Sequence, residues 1–162
     1  DNSLTTLEGC PKSVGRDFDC HNNNLTTLEG GPKSVGGNFY CNGNQLTTLE
    51  GSPESLGGGF DCSVNRLKTL YGSPRSVVGS FWCIKNEILS FEGAPNQVYN
   101  FNCSGNPIYN IWDLFRDYTK VELLNDLDPI RGKDLLMDRF NTFLTMIGKD
   151  GVVNVDGYNC IN

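Results

Sequence analysis

The side chains able to do chemistry are few: seven cysteines, the single histidine His21, and 19 acidic groups against 13 basic ones, a net charge of −6. Seven cysteines could be a disulfide framework, a metal site or a set of buried thiols. A zinc site needs ligands brought together by spacings such as C-x-x-C, and the chain has no such pair and no Cys/His cluster. His21 has no nucleophile near it in sequence. Gly57-Gly58-Gly59 lacks the Lys-Ser/Thr that completes a phosphate-binding loop. Asp17 and Asp19 are spaced to share one strand face, where carboxylates could serve glycan binding or glycoside cleavage but are more often solvated charge. The expectation is no catalysis, no cofactor and no metal.

The cysteines become intelligible through their spacing. Cys20, Cys41, Cys62 and Cys83 are 21 residues apart, and Cys103 follows after 20. Phe18, Phe39, Phe60, Phe81 and Phe101 keep the same intervals, as do Asn23, Asn44, Asn65, Asn86 and Asn106. Leu4, Leu25, Leu46, Leu67 and Ile88 form a further column, as do Gly9, Gly30, Gly51, Gly72 and Gly93. One residue is missing between Val98 and Phe101. The unit reads V-x-x-x-F-x-C-x-x-N-x-L-T-T-L-x-G-x-P, five times in register.

That pattern dictates the elements. Phe and Cys, two apart, point to one face of a short strand, and the residue between them points to the other. The Asn just past the strand suits a turn whose amide bonds the backbone of neighbouring units. Gly and Pro turn the chain back where a positive or fixed φ is needed. One unit cannot bury its Leu, Val, Phe and Cys alone, whereas stacked units bury them in a continuous core.

Residues 2–108 resemble the leucine-rich repeat family in its short 20–21-residue form; Val98–Ile108 fits L-x-x-L-x-L-x-x-N/C-x-L. The N-x-L-T-x-L segment followed by Pro is similar to bacterial effector-type repeats. The Gly-Gly-x-Phe-x-Cys strand resembles repeat proteins of large phages and giant viruses, which would place the chain in a host cytoplasm. Gly stands where effector repeats carry a Leu-Pro pair, so effector biology does not carry over. The resemblance implies an α/β repeat solenoid, right-handed, with a parallel β-sheet on the concave face and an irregular convex side. Residues 1–107 would form about five coils. The chain starts mid-unit at Asp1 without Met, so it is expected to be part of a longer array, or to have its open first coil covered by another chain; end-to-end self-association there, as a structural virion or filament component, is the alternative to a protein-interaction module.

Residues 108–162 lose the period and are expected to form a helical C-terminal capping region. Ile108, Ile111, Trp112, Phe115 and Tyr118 lie on one helical face, with Pro107 in the first turn and Asn106 as its cap. A second helix is expected over 120–127, ended by Asp128-Pro129. A third is expected over 133–147 with Gly148 as its C-terminal residue, then an extended 152–161 with a turn at Asp156-Gly157.

The strand cysteines Cys20, Cys41, Cys62, Cys83 and Cys103 read as a ladder of buried thiols, because in-register parallel strands offer poor disulfide geometry. Seven is also an odd number, and the composition fits a reducing, cytoplasmic compartment. The Asn column reads as a second structural ladder. Binding character is left to the outward positions: Asp19, Tyr40, Asp61, Trp82 and Asn102 between Phe and Cys, Asp17, Asn38, Gly59, Ser80 and Asn100 before Phe, and His21, Asn42, Ser63, Ile84 and Ser104 after Cys. Tyr40 and Trp82 flank Asp61, a composition suited to a protein partner with basic character. The acidic balance excludes phosphate-backbone recognition, so no nucleic acid is expected. No apolar run approaches the length that spans a bilayer.

Overall fold

The computed structural model describes residues 2–162; Asp1 lies outside them. Each of the first three complete units places two short strands. The Val/Leu column gives β1 (Ser13–Val14), β3 (Ser34–Val35) and β5 (Ser55–Leu56), and the Phe column gives β2 (Phe18–Asp19), β4 (Phe39–Tyr40) and β6 (Phe60–Asp61). Gly36-Gly37 and Gly57-Gly58 interrupt the strands between these pairs. In the next units Val78 and Tyr99 occupy the interruption, and strand-favouring side chains merge the two segments into β7 (Ser76–Trp82) and β8 (Gln97–Asn102). Two parallel sheets result, ordered β1-β3-β5 and β2-β4-β6-β7-β8. Their register advances by one unit per strand: Phe39 faces Phe60, and Phe60 faces Phe81. The residue missing before Phe101 is absorbed as a bulge, with Val77 pairing Val98 and Ser80 pairing Asn100, so that Val78 and Gly79 oppose Tyr99 alone.

The expected inward columns are buried in the interior units, whereas Leu4 is exposed and Val14, Phe18 and Val98 are half-buried. The Phe rings stack along the sheet at centroid distances of 5.1, 5.3, 5.5 and 5.9 Å. Beside them the cysteine N–H and S–H converge on a single carbonyl of the next strand. Cys41 N–H and Sγ lie 2.9 and 3.3 Å from the Asp61 oxygen, and Cys62 N–H and Sγ lie 2.8 and 3.4 Å from the Trp82 oxygen. All seven cysteines are free thiols. The Asn column joins consecutive units: Asn65 Oδ1 accepts from Leu46 N–H at 2.9 Å, while its Nδ2 donates to the carbonyls of Cys41 and Cys62 at 3.1 and 3.0 Å. Asn86 and Asn106 repeat this arrangement one unit on. The second Thr of each T-T pair turns inward on its own loop, Thr6, Thr27 and Thr48 hydroxyls accepting the N–H two residues on.

The glycine column is required where units touch. Gly51 has φ +92°, and a Cβ there would stand 2.3 Å from the Leu28 carbonyl carbon; Gly9, at φ +87°, would meet nothing. Gly51→Ala is therefore expected to cost about 3 kcal/mol, the left-handed penalty plus overpacking, and Gly9→Ala only about 1 kcal/mol. Urea denaturation of the two variants measures the difference, and equal losses would rule out close unit contact as the reason for glycine.

Beyond residue 108 lie α1 (Tyr109–Phe115), a 3₁₀ turn (Tyr118–Lys120), α2 (Val121–Leu127), β9 (Ile130–Arg131), β10 (Asp134–Leu136), α3 (Met137–Met146) and β11 (Asn159–Ile161). Three expectations need correction. Asn106 does not cap α1, because its amide is spent on Ile88 N–H and on the Cys83 and Cys103 carbonyls. The first helix stops at Phe115, since Arg116 takes a left-handed φ of 46°; Tyr118 instead donates from its hydroxyl to the Pro95 carbonyl at 2.6 Å. The third helix starts at Met137, not Lys133, because Asp134–Leu136 pairs antiparallel with β9 and parallel with β11. Gly132, at φ 60°, opens the two-residue hairpin loop that makes this possible. Gly148 ends α3 as expected: at φ 75° it lets Gly148 N–H reach the Thr145 carbonyl and Lys149 N–H the Leu144 carbonyl. The segment covers the last repeat unit. Trp112 packs edge-on to Phe101 at 5.1 Å, Phe115 meets Phe91 and Phe143, and the Tyr158 hydroxyl donates to the Leu89 carbonyl. Among the described residues no helix is long and apolar enough to cross a membrane.

Candidate functional site

On the sheet face opposite the Phe and Cys ladders, register places Asp19 beside Tyr40, Tyr40 beside Asp61, Asp61 beside Trp82 and Trp82 beside Asn102. The alternation of the strand gives all five the outward direction, and Trp82 remains 40% exposed. The two carboxylates are used differently. Asp19 Oδ1 accepts from the His21 backbone N–H at 3.0 Å and lies 2.5 Å from His21 Nδ1. Slight burial raises the Asp19 pKa, but the hydrogen bonds and charge of His21 outweigh it and hold the carboxyl below its ordinary range. Asp61 has Ser63 at the equivalent position, and its Oδ1 accepts only that residue's backbone N–H, at 2.9 Å. Asp61 thus keeps carboxylate capacity facing outward.

The residues after Cys are less uniform than expected. His21, Asn42, Ile84 and Ser104 are partly exposed, but Ser63 is buried, its hydroxyl accepting from Ile84 N–H at 3.2 Å. It supports the turn and does not join the outward surface. Of the acidic pair Asp17/Asp19, Asp17 bonds the Asn38 backbone N–H at 2.7 Å and Asp19 bonds His21, so both act on the local backbone.

Between Tyr40 and Trp82 the sheet face sinks into a depression of about 230 Å³. Its floor is Gly57, Gly58 and Gly59, and Asn38 and Ser80 stand on either side. The sequence names the aromatic and acidic members, Asn38, Gly59 and Ser80 as outward positions, and does not single out Gly57 and Gly58. The available signal was Gly59 itself, which stands in an outward column otherwise filled by Asp17, Asn38, Ser80 and Asn100. A residue without a side chain there leaves a gap, and Asn38 Oδ1 fixes the floor by accepting Gly59 N–H at 2.7 Å.

The thiols make a contrasting set. Burial, followed by neighbouring thiols and Asp61, pushes Cys41 and Cys62 well above the ordinary thiol range, and burial pushes Cys20 and Cys103 up to about 12. Neutral and enclosed, they are core material and not nucleophiles. Among the described residues no three His, Cys, Asp or Glu side chains converge as metal ligands would. No family model, curated protein or solved structure matches the chain.

Proposed function

We propose that residues 1–107 form a leucine-rich repeat solenoid, closed at its C-terminal end by residues 108–162, and that its sheet face holds a protein partner without catalysis. The observation that carries this reading is the depression lined by Tyr40, Trp82 and Asp61. Large rigid side chains with a polar handle, beside a hollow, are what interface hot spots are made of. The 21-residue register of both sheets and the aromatic packing of the C-terminal segment on Phe91 and Phe101 fit a capped stack. Seven free thiols fit a reducing compartment.

The test is crosslinking capture of partners, with the Tyr40→Ala/Trp82→Ala double variant as control. Against a captured partner, Trp82→Ala is expected to leave the thermal unfolding midpoint in place and weaken binding by about 2 kcal/mol, roughly thirtyfold in Kd. Titration calorimetry reads it, and an unchanged Kd removes this face from the interface. Capture of glycan in place of protein would replace the reading with a lectin-like one.

A further inference from the structure

The hollow at Tyr40, Asp61 and Trp82 specifies more than a docking face. We infer that it takes the guanidinium of an arginine side chain, an inference that rests on the docking reading above and names what the partner presents. Neighbouring parallel strands lie about 4.8 Å apart, so Tyr40 on β4 and Trp82 on β7, separated only by β6, have backbones about 10 Å apart. One flat group between two aromatic side chains needs about 7 Å, twice a van der Waals contact. In register Asp61 stands between Tyr40 and Trp82, and beside it the side-chain-free Gly59, between Asn38 and Ser80, leaves the space in which a flat group can lie against the carboxylate.

Charge selects the occupant. Among the described residues Asp61 is the one charged side chain lining the hollow, and no lysine or arginine lines it. Asp19, the equivalent carboxylate two strands away, is engaged by the His21 ring, whereas Asp61 is engaged only by Ser63 N–H. The hollow therefore offers a carboxylate with accepting capacity to spare, lined by an aromatic residue on the strand to either side. A guanidinium is planar, weakly hydrated and able to stack while donating to a carboxylate; an ammonium is compact and strongly hydrated, and gains less in an open hollow. A volume of about 230 Å³ accommodates the head and part of the stem of one such side chain.

The probe is N-acetyl-arginine methylamide, titrated against the intact ¹⁵N-labelled chain, with the lysine and citrulline analogues as controls. Saturable shifts of the Trp82 indole N–H and of the Gly57–Gly59 amides are expected with arginine. Citrulline, which keeps the shape and loses the charge, should leave them in place. Asp61→Asn retains the acceptor for Ser63 N–H and should weaken the arginine response about tenfold with the fold intact. Equal responses to all three analogues, equal responses to arginine and lysine, or an Asp61→Asn variant that binds arginine unchanged would each overturn the inference. If a captured partner depends on Trp82 while arginine does not move the indole, the docking face stands and the arginine assignment falls. If arginine saturates the hollow while the partner ignores Trp82, the assignment stands and the docking reading falls.

Discussion

Raising the pH from about 8 to 10 is expected to remove most of the stability of this protein, and five buried thiols are the cause. In the native state Cys20 and Cys103 ionise only at about 12, and Cys41, Cys62 and Cys83 are also pushed well above the ordinary value, burial being the largest cause in each. In the unfolded chain the same thiols ionise near 9. Their folded pKa values are raised, so their contribution is complete below about pH 9 and is lost as pH climbs toward the folded values. Over that window the unfolded state releases protons that the folded state keeps. Each thiol then costs about 1.4 kcal/mol by pH 10, and five cost about 7 kcal/mol, comparable with the whole stability of an ordinary domain. Urea midpoints measured in reductant at pH 7, 8, 9 and 10 should fall steeply over the last step. Cys41→Ala/Cys62→Ala/Cys83→Ala lowers the starting stability through cavities, yet it should flatten the slope to that of the two remaining ladder thiols. An undiminished slope in the triple variant would assign the alkaline loss to other groups. Tyr118 and Tyr158, also raised by burial, begin to add about 0.4 kcal/mol each at pH 10, where their unfolded counterparts are half ionised, and this remainder of the slope persists in the triple variant.

The same columns explain what the sequence made legible. A 21-residue spacing repeated through Phe, Cys, Asn, Leu and Gly leaves one register for the strands, because a slip of one residue would turn every Phe and Cys outward. The inward faces follow from that count, and the residue it finds missing before Phe101 is the one the structure absorbs as the bulge at Val77–Ser80. The C-terminal segment has no second copy to read against. Lys133–Leu136 satisfies a helical pattern as well as an extended one, and the choice is made by pairing with Asn159–Ile161, 25 residues further on. Asn106 looked like a helix cap because Pro107 follows it, but the column claims its amide first: it is the last rung before the helices begin. At the candidate site the projecting residues were readable. The hollow between them was not, because it is made by Gly57–Gly59, whose contribution is the absence of side chains.

Asn44→Ala should cost about 4 kcal/mol, far more than the loss of one surface amide, and the accounting is local. Asn44 is 8% exposed; its Oδ1 accepts from Leu25 N–H at 3.0 Å and its Nδ2 donates to the Cys20 and Cys41 carbonyls, both at 3.0 Å. The two carbonyls keep another donor each, from Asn23 and Asn65. Leu25 N–H keeps nothing, and Leu25 is fully buried, so an orphaned donor adds to two lost bonds and a small cavity. Asn23→Ala is the internal comparison. Its Nδ2 also makes two bonds, to the Cys20 and His21 carbonyls, but its Oδ1 serves Leu4 N–H, in a residue 46% exposed, where water can replace the amide. No donor is orphaned, and the expected loss is about 2 kcal/mol. Asn44→Asp separates the donor from the acceptor. It preserves the bond from Leu25 N–H but sets a carboxylate oxygen against two carbonyls, which raises the folded pKa of the new acid. Its charged form is disfavoured above the unfolded value near 4, so the deficit should be large at pH 7 and shrink as pH falls toward 4, where a protonated oxygen donates again. Chemical denaturation of the three variants at both pH values reads all of this. If Asn44→Ala costs no more than Asn23→Ala, the interior rungs do not satisfy the turns between units. The stack would then be held by Phe, Leu and Cys packing alone, with the Asn column free to vary.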